Sequence, residues 1–358
     1  MSSWKENVRK VVPYVPGEQP RQTDMIKLNT NENPYPPSPL VAKAAAAMDL
    51  DTLRLYPDPT AHSLVKCLAD YHGLKESQVF VGVGSDDVLA MAFMTFFNGK
   101  EPILFPDITY SFYDVWADML RIPYKTVALD DNFEINPKDY NKMSNGGVVF
   151  PNPNAPTGAA MDLASVRAIL EDNKDVVVIV DEAYVDFGAN SAMDLIQDYD
   201  NLLVVRTFSK SRSLAGMRIG YACGNEEMIH YLNDVKYSFN SYTMDTMTLA
   251  MGVASVQDEA YFQETVAKII DSREWTQKEL SRLGFHFHPS KANFIFAEHE
   301  SVPAKDIFAA LREKHIYVRY FDKPRINNHL RITIGTPEEM QKLIDFLEKY
   351  IKGRKESM

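Results

Sequence analysis

Cysteine is nearly absent: of 358 residues only Cys67 and Cys223 carry a thiol, far apart and outside any CxxC or Cys/His spacing. That excludes a disulfide framework, argues against a zinc site and leaves each thiol as a small core residue. Long apolar runs are missing as well. No stretch approaches the roughly 18 apolar residues of a membrane span. Met1 to Lys10 alternates polar and charged residues without an apolar h-region, so no signal peptide is expected and residence in the cytoplasm follows. Positive charge is in deficit, with 38 Lys and Arg against 49 Asp and Glu for a net charge of −11, which argues against nucleic-acid or anionic-membrane partners. No Walker A pattern, internal repeat or low-complexity tract occurs apart from a short alanine run. Gly82-Val83-Gly84-Ser85-Asp86-Asp87 begins like a dinucleotide fingerprint but carries Asp where the third glycine belongs, which argues against a nicotinamide-dependent dehydrogenase.

What is present is an ordinary globular composition, 45% hydrophobic and 24% charged, on a chain long enough for two domains. Residues 1–40 are polar, and Pro34, Pro36, Pro37 and Pro39 exclude a regular helix there; this predicts an arm lying against something else. Helices are predicted from Val41 and over Ser63 to Tyr71. Short apolar strands then alternate with helical stretches at Val79 to Val81, Ile103 to Phe105, Val148 to Phe150, Val176 to Val180 and Leu202 to Val205. That rhythm predicts a mostly parallel sheet covered on both faces, and Ile219 to Ala222 follows too closely for another crossover, which makes it an antiparallel addition. A large unit over 41–245 gives way to a smaller α+β unit over 246–358. The latter is predicted to hold one long amphipathic helix through Leu280, strands at Phe285, Phe294, Ile316 and Leu330, and a last helix opened by a capping box of Thr336, Pro337 and Glu339.

Three segments carry chemistry. Thr207-Phe208-Ser209-Lys210-Ser211-Arg212 follows the buried strand of Leu202 to Val205, and Arg218 lies shortly after, so hydroxyls and cations gather where ligands bind in open α/β sheets. A lysine desolvated near other cations can act as a nucleophile toward an aldehyde. Val176 to Val180 stops at Asp181, a carboxylate at a strand tip that needs a cationic or hydrogen-bonded partner. Gly147 to Gly158 runs from a strand into a loop stiffened by three prolines, where Asn154 can aim an amide at a ligand. Taken alone, Lys210 also reads as a solvated loop lysine and Asp181 as the cap of the next helix.

In order and spacing these segments resemble the fold-type I pyridoxal-phosphate enzymes, with their three-layer, mostly parallel seven-stranded sheet, and within them the histidinol-phosphate aminotransferases. The resemblance begins at Tyr14-Val15-Pro16-Gly17 and Leu28-Asn29-Thr30-Asn31-Glu32-Asn33-Pro34, and continues through Tyr56-Pro57-Asp58 and Gly84-Ser85-Asp86-Asp87. It closes at Leu330-Arg331-Ile332-Thr333-Ile334-Gly335. It implies transamination of L-histidinol phosphate with 2-oxoglutarate in a cytoplasmic homodimer with composite sites. The alternatives within the family are an aromatic amino-acid transaminase and a threonine-phosphate decarboxylase. By the same resemblance Lys210 is the Schiff-base amine and proton carrier, Asp181 the partner of the pyridine nitrogen, and Tyr184 a contact to the ring oxygen. Tyr110 stacks on the ring, and Asn154 is the second contact to the ring oxygen, although Ala155 stands where many relatives place Asn. Ser85, Asp86, Thr207, Ser209 and Arg218 surround the phosphate. Tyr56 reaches into the partner's site, and Tyr14, Arg319 and Arg331 receive the substrate anion.

Overall fold

The computed structural model describes residues 4–20, 22, 24–141 and 143–356; the first three residues of the arm and the last two of the chain lie outside them. The first strand is the short β1 (Ile26–Leu28), and seven strands of another sheet follow: β2 (Val79–Gly82), β3 (Ile103–Pro106), β4 (Tyr124–Val127), β5 (Gly147–Pro151), β6 (Val178–Asp181), β7 (Leu202–Thr207) and β8 (Gly220–Gly224). Their order in the sheet is β2-β8-β7-β6-β5-β3-β4. Every pairing is parallel except those of β8, which runs antiparallel to both β7 and β2.

Alternate residues of each strand feed two cores, as the period of two in a pleated strand requires. Val148, Phe150, Val178, Val180, Leu202 and Val204 face one side, packed by helices Pro39–Ala46, His62–His72, Leu163–Asp172 and Thr246–Gln257. Val149, Ile179, Leu203 and Val205 face the other, packed by helices Ser85–Phe96, Tyr113–Leu120 and Glu226–Phe239. Burial on both faces explains why these strands read as continuous apolar runs.

The second sheet has the order β1-β11-β12-β10-β9, from β9 (Phe285–Phe287), β10 (Phe294–His299), β11 (Ile316–Tyr320) and β12 (Leu330–Thr333). It packs on helices Glu259–Arg282, Ala304–Glu313 and Pro337–Glu356. The last of these opens as expected: Thr336 N–H donates to Glu339 Oε2 at 2.8 Å while Glu339 N–H donates to Thr336 Oγ1 at 3.3 Å.

Four details depart from the sequence reading. Pro39 does not end the arm as coil; it is the first residue of a helix capped by Ser38, where its missing N–H costs nothing. Within the arm, β1 pairs in parallel with β11. The long helix is broken at Asp258, whose ψ of 62° is not helical and whose carboxylate accepts from Ser38. The helix before that break contributes Leu249, Met251, Ala254 and Val256 to the core under the seven-stranded sheet, so that core extends past residue 245.

Candidate active site

The tips of β6 and β7 set the site. β6 ends at Asp181, which pairs in register with Val205 of β7, and the turn after β7 carries Ser209 and Lys210. Together with Ser85, Tyr110, Tyr184 and Arg218 these residues line one hollow of about 180 Å³. A second hollow shares Thr30, Asp86, Tyr110, Tyr184 and Lys210 with the first and adds Tyr14, Arg319 and Arg331, so the two are continuous.

One end of the hollow is suited to a dianion. Helix Ser85–Phe96 starts there with no side chain capping it, which leaves its first N–H groups and the positive end of its dipole open. Gly84 sits at φ +86°, and a Cβ on it would lie 2.4 Å from Arg218 Nη2. A Cβ on Gly220 would lie 2.2 Å from the Gly84 carbonyl carbon, so both glycines are needed for strand and turn to approach this closely. Arg218, itself left-handed at φ +53°, donates to Ser209 Oγ at 3.3 Å and to Asp86 Oδ2 at 3.1 Å. Thr207 Oγ1 donates to Ser209 Oγ at 3.0 Å.

The other end holds the acid. Asp181 is only 4% exposed, and burial pushes its carboxyl from 3.8 up to about 6 against the hydrogen bonds that favour the anion. Those bonds come from Tyr113 Oη at 2.8 Å and the Ala183 N–H at 3.1 Å. No basic side chain touches it among the contacts of the described residues, so a cation at this point would be strongly favoured. Lys210 Nζ donates to the Thr30 carbonyl at 3.0 Å and lies 5.8 Å from the centre of the Tyr184 ring. Tyr110 donates to Asp86 Oδ1 at 2.7 Å. Burial and then the Asp86 charge raise its phenol, which keeps it neutral.

The arginines come from the smaller sheet. Arg319 and Arg331 are directly opposite on antiparallel β11 and β12, an arrangement of like charges that is unfavourable until an anion lies between them. Burial lowers Arg331 from the ordinary guanidinium value. Its Nη2 donates to the Asn29 carbonyl at 2.9 Å, while its Nε is buried without a partner among the described residues. Tyr14 borders the same hollow, its ring stacked on Phe112 at 4.2 Å.

Two expected residues are not brought to the hollow. Asn154 is 1% exposed and its amide is spent on its own loop and the loop after β3, donating to the Ile108 carbonyl and Thr157 Oγ1 and accepting from Thr109. Ala155 lines the hollow in its place. Tyr56 is 82% exposed and rests on Tyr242 at 4.7 Å, outside the hollow of its own chain. Sequence reasoning gave no role to Tyr113, or to Thr30-Asn31-Glu32, which it quoted only as part of a motif. It also missed the support beneath the turn. Arg206 pairs with Glu182 at 3.0 Å and Asp186 at 3.5 Å, and Asp186 accepts from Ser211, the neighbour of Lys210.

Comparison with known proteins adds to this geometry. Residues 23–347 match the family model described as aminotransferase class I and II. The chain is 52% identical over 352 residues to a histidinol-phosphate aminotransferase of Clostridium botulinum, covering 98% of this chain and 99% of that one. It is 51% identical over 355 residues to the enzyme of that name from Lactococcus lactis subsp. cremoris, covering 99% of each. Among solved structures, the histidinol-phosphate aminotransferase of Sinorhizobium meliloti, crystallised with pyridoxal-5'-phosphate, superposes with a TM-score of 0.82 at 24% identity over 92% of this chain and 91% of that one.

Proposed function

The chain belongs to the aminotransferase class I and II family, and from that premise we propose that it moves the amino group of L-histidinol phosphate to 2-oxoglutarate. The products are imidazole acetol phosphate and L-glutamate, a step of histidine biosynthesis, and the cofactor is pyridoxal 5'-phosphate. The relatives' shared name supports this substrate over the aromatic amino acids and phosphothreonine.

The residues fit the cofactor. The uncapped helix start, the two glycines that let β2 and β8 close on it, and Arg218 make a cradle for its phosphate. Asp181, buried and without a cationic neighbour, suits its ring nitrogen. When bound, the cofactor supplies an aldehyde and a ring that accepts electrons from the substrate's Cα. Lys210 would hold it through its amine and, once free, would carry the proton from substrate Cα. Asp181 would keep a proton on the ring nitrogen, Tyr184 would contact the ring oxygen, Tyr110 would cover the ring, and Ser85, Asp86, Thr207 and Ser209 would complete the phosphate site. Arg331 and Arg319, with Tyr14, receive the substrate's anionic group. Asn154 keeps its loop, and with it Ala155, in place.

The same reading assigns residues 1–40 to an arm, the seven-stranded part to cofactor binding and the C-terminal part to substrate binding, with helix Thr246–Gln257 on the cofactor side. It makes the protein a cytoplasmic homodimer. Tyr56 stands exposed beside Leu50, Leu53 and Leu55, with Phe239 and Tyr242 also exposed, an apolar surface of the kind a second copy covers, and from there it reaches into the partner's site.

The observation that carries the reading is that Lys210, Asp181 and the facing arginines open on one continuous hollow. It is tested by incubating purified protein and cofactor with 2-oxoglutarate and, in parallel, histidinol phosphate, tyrosine or phosphothreonine. Glutamate should form with histidinol phosphate far faster than with tyrosine. Carbon dioxide released from phosphothreonine would overturn the assignment.

A further inference from the structure

The segment Asn29-Thr30-Asn31-Glu32-Asn33 threads between the two sheets, and its polar groups meet the candidate site at every step. The Asn29 carbonyl accepts from Arg331, the Thr30 carbonyl from Lys210, and Asn33 Nδ2 donates to the Lys210 carbonyl at 3.0 Å. Asn31 is the residue in the middle. It is 1% exposed and left-handed at φ +58°, a conformation Asn tolerates better than most residues.

The hydrogen bonds around Asn31 have a single direction. Its backbone N–H donates to Thr333 Oγ1 at 3.1 Å, and the Thr333 hydroxyl in turn donates to Asn31 Oδ1 at 3.0 Å. With that bond formed, Oδ1 is the acceptor end of the amide. The other end, Nδ2, then faces Tyr184 and donates to its Oη at 2.9 Å. Asn293, fully buried, holds the Asn31 carbonyl at 3.0 Å. Tyr184 Oη therefore accepts from Asn31 at the edge of the hollow that both residues line, and its own proton is left for another group inside it. On the same wall Ala155 has no polar side chain, and the Asn154 amide is turned to the Ile108 carbonyl.

We propose that Asn31 and Thr333 are positioning residues which aim the Tyr184 proton into the cavity, so that a single oriented phenol serves the ring oxygen where Ala155 offers no second donor. This rests on the cofactor reading above. A donor on that oxygen stabilises its deprotonated form, so losing it moves the titration of the bound cofactor's visible band to higher pH. The direction is set through Tyr184 alone, and neutral substitutions leave the charge of the site unchanged.

The test is a pH titration of the visible band of protein loaded with pyridoxal phosphate, with melting temperatures recorded to verify folding. Asn31→Ala should raise the midpoint by about one pH unit, the worth of one hydrogen bond. Thr333→Val should move it the same way by less, and Thr333→Ser should leave it in place. In a Tyr184→Phe background, neither Asn31→Ala nor Thr333→Val should add a further shift. An unmoved midpoint in folded Asn31→Ala, or a full shift that persists without the Tyr184 hydroxyl, would overturn the proposal. If Asn31→Ala does not fold, the Thr333 pair decides alone: a Val variant that titrates like the Ser variant refutes it. A wild type that acquires no visible band would remove the cofactor reading and this inference with it, whereas a normal wild-type band with unmoved variants removes this inference only.

Discussion

In the seven-stranded sheet, Asp181 and Lys210 leave neighbouring parallel strands at their tips, where the ends of the strands themselves bring acid and amine to one hollow. In the five-stranded sheet, Arg319 and Arg331 instead face each other directly across antiparallel strands. The first arrangement is stable before any ligand arrives, because Tyr113 and Ala183 satisfy Asp181 and a carbonyl holds Lys210. The second leaves like charges opposed and one guanidinium nitrogen without a partner among the described residues. On the proposed function, the difference separates an end assembled before the cofactor arrives from a substrate end that an anion completes.

Asp181→Asn should have the largest effect, reducing turnover by on the order of a thousandfold as the charge facing the ring nitrogen is lost. It also carries a pH signature. The folded protein holds the Asp181 proton up to about 6 against an ordinary 3.8, so this group's contribution to stability is full below the lower value and is lost as pH rises through the upper one. Across that interval, denaturant unfolding of cofactor-free wild type should show a fall of about 3 kcal/mol relative to Asp181→Asn. A variant with the wild-type slope would mean that the carboxyl is not held in its protonated form. Arg331→Ala should come next, raising KM for the phosphate substrate by about a hundredfold with a smaller effect on kcat. Arg319→Ala, half-buried like Arg331 but resting on the Phe321 ring and not held by the Asn29 carbonyl, should raise it by about fivefold at most. Equal losses at both positions in steady-state kinetics would break the distinction between them.

The cofactor end was the more legible part of the sequence for the same physical reason. Strands buried on both faces write themselves as apolar runs, and their ends as an abrupt Asp181 or a Ser-Lys cluster. The edge strand β4 was not legible, because its middle residues are exposed and break the run. Nor was β1, three residues inside a proline-rich arm that only its pairing with β11 makes a strand. Tyr113 and Asn31 reach their partners across 68 and 153 positions of sequence, and no local pattern encodes such contacts. Asn154 shows the converse: an amide of the right type, beside the right prolines, is turned by its loop to other partners.

The central claim is that Lys210 and Asp181 address opposite ends of one aromatic aldehyde, and its most direct test is chemical. Protein loaded with pyridoxal phosphate is reduced with borohydride, digested and mapped by mass spectrometry, beside Lys210→Ala treated in the same way. The phosphopyridoxyl mass should appear on the peptide containing Lys210 and be missing from the variant. A label carried mainly by another lysine, or retained in full by Lys210→Ala, would contradict the account.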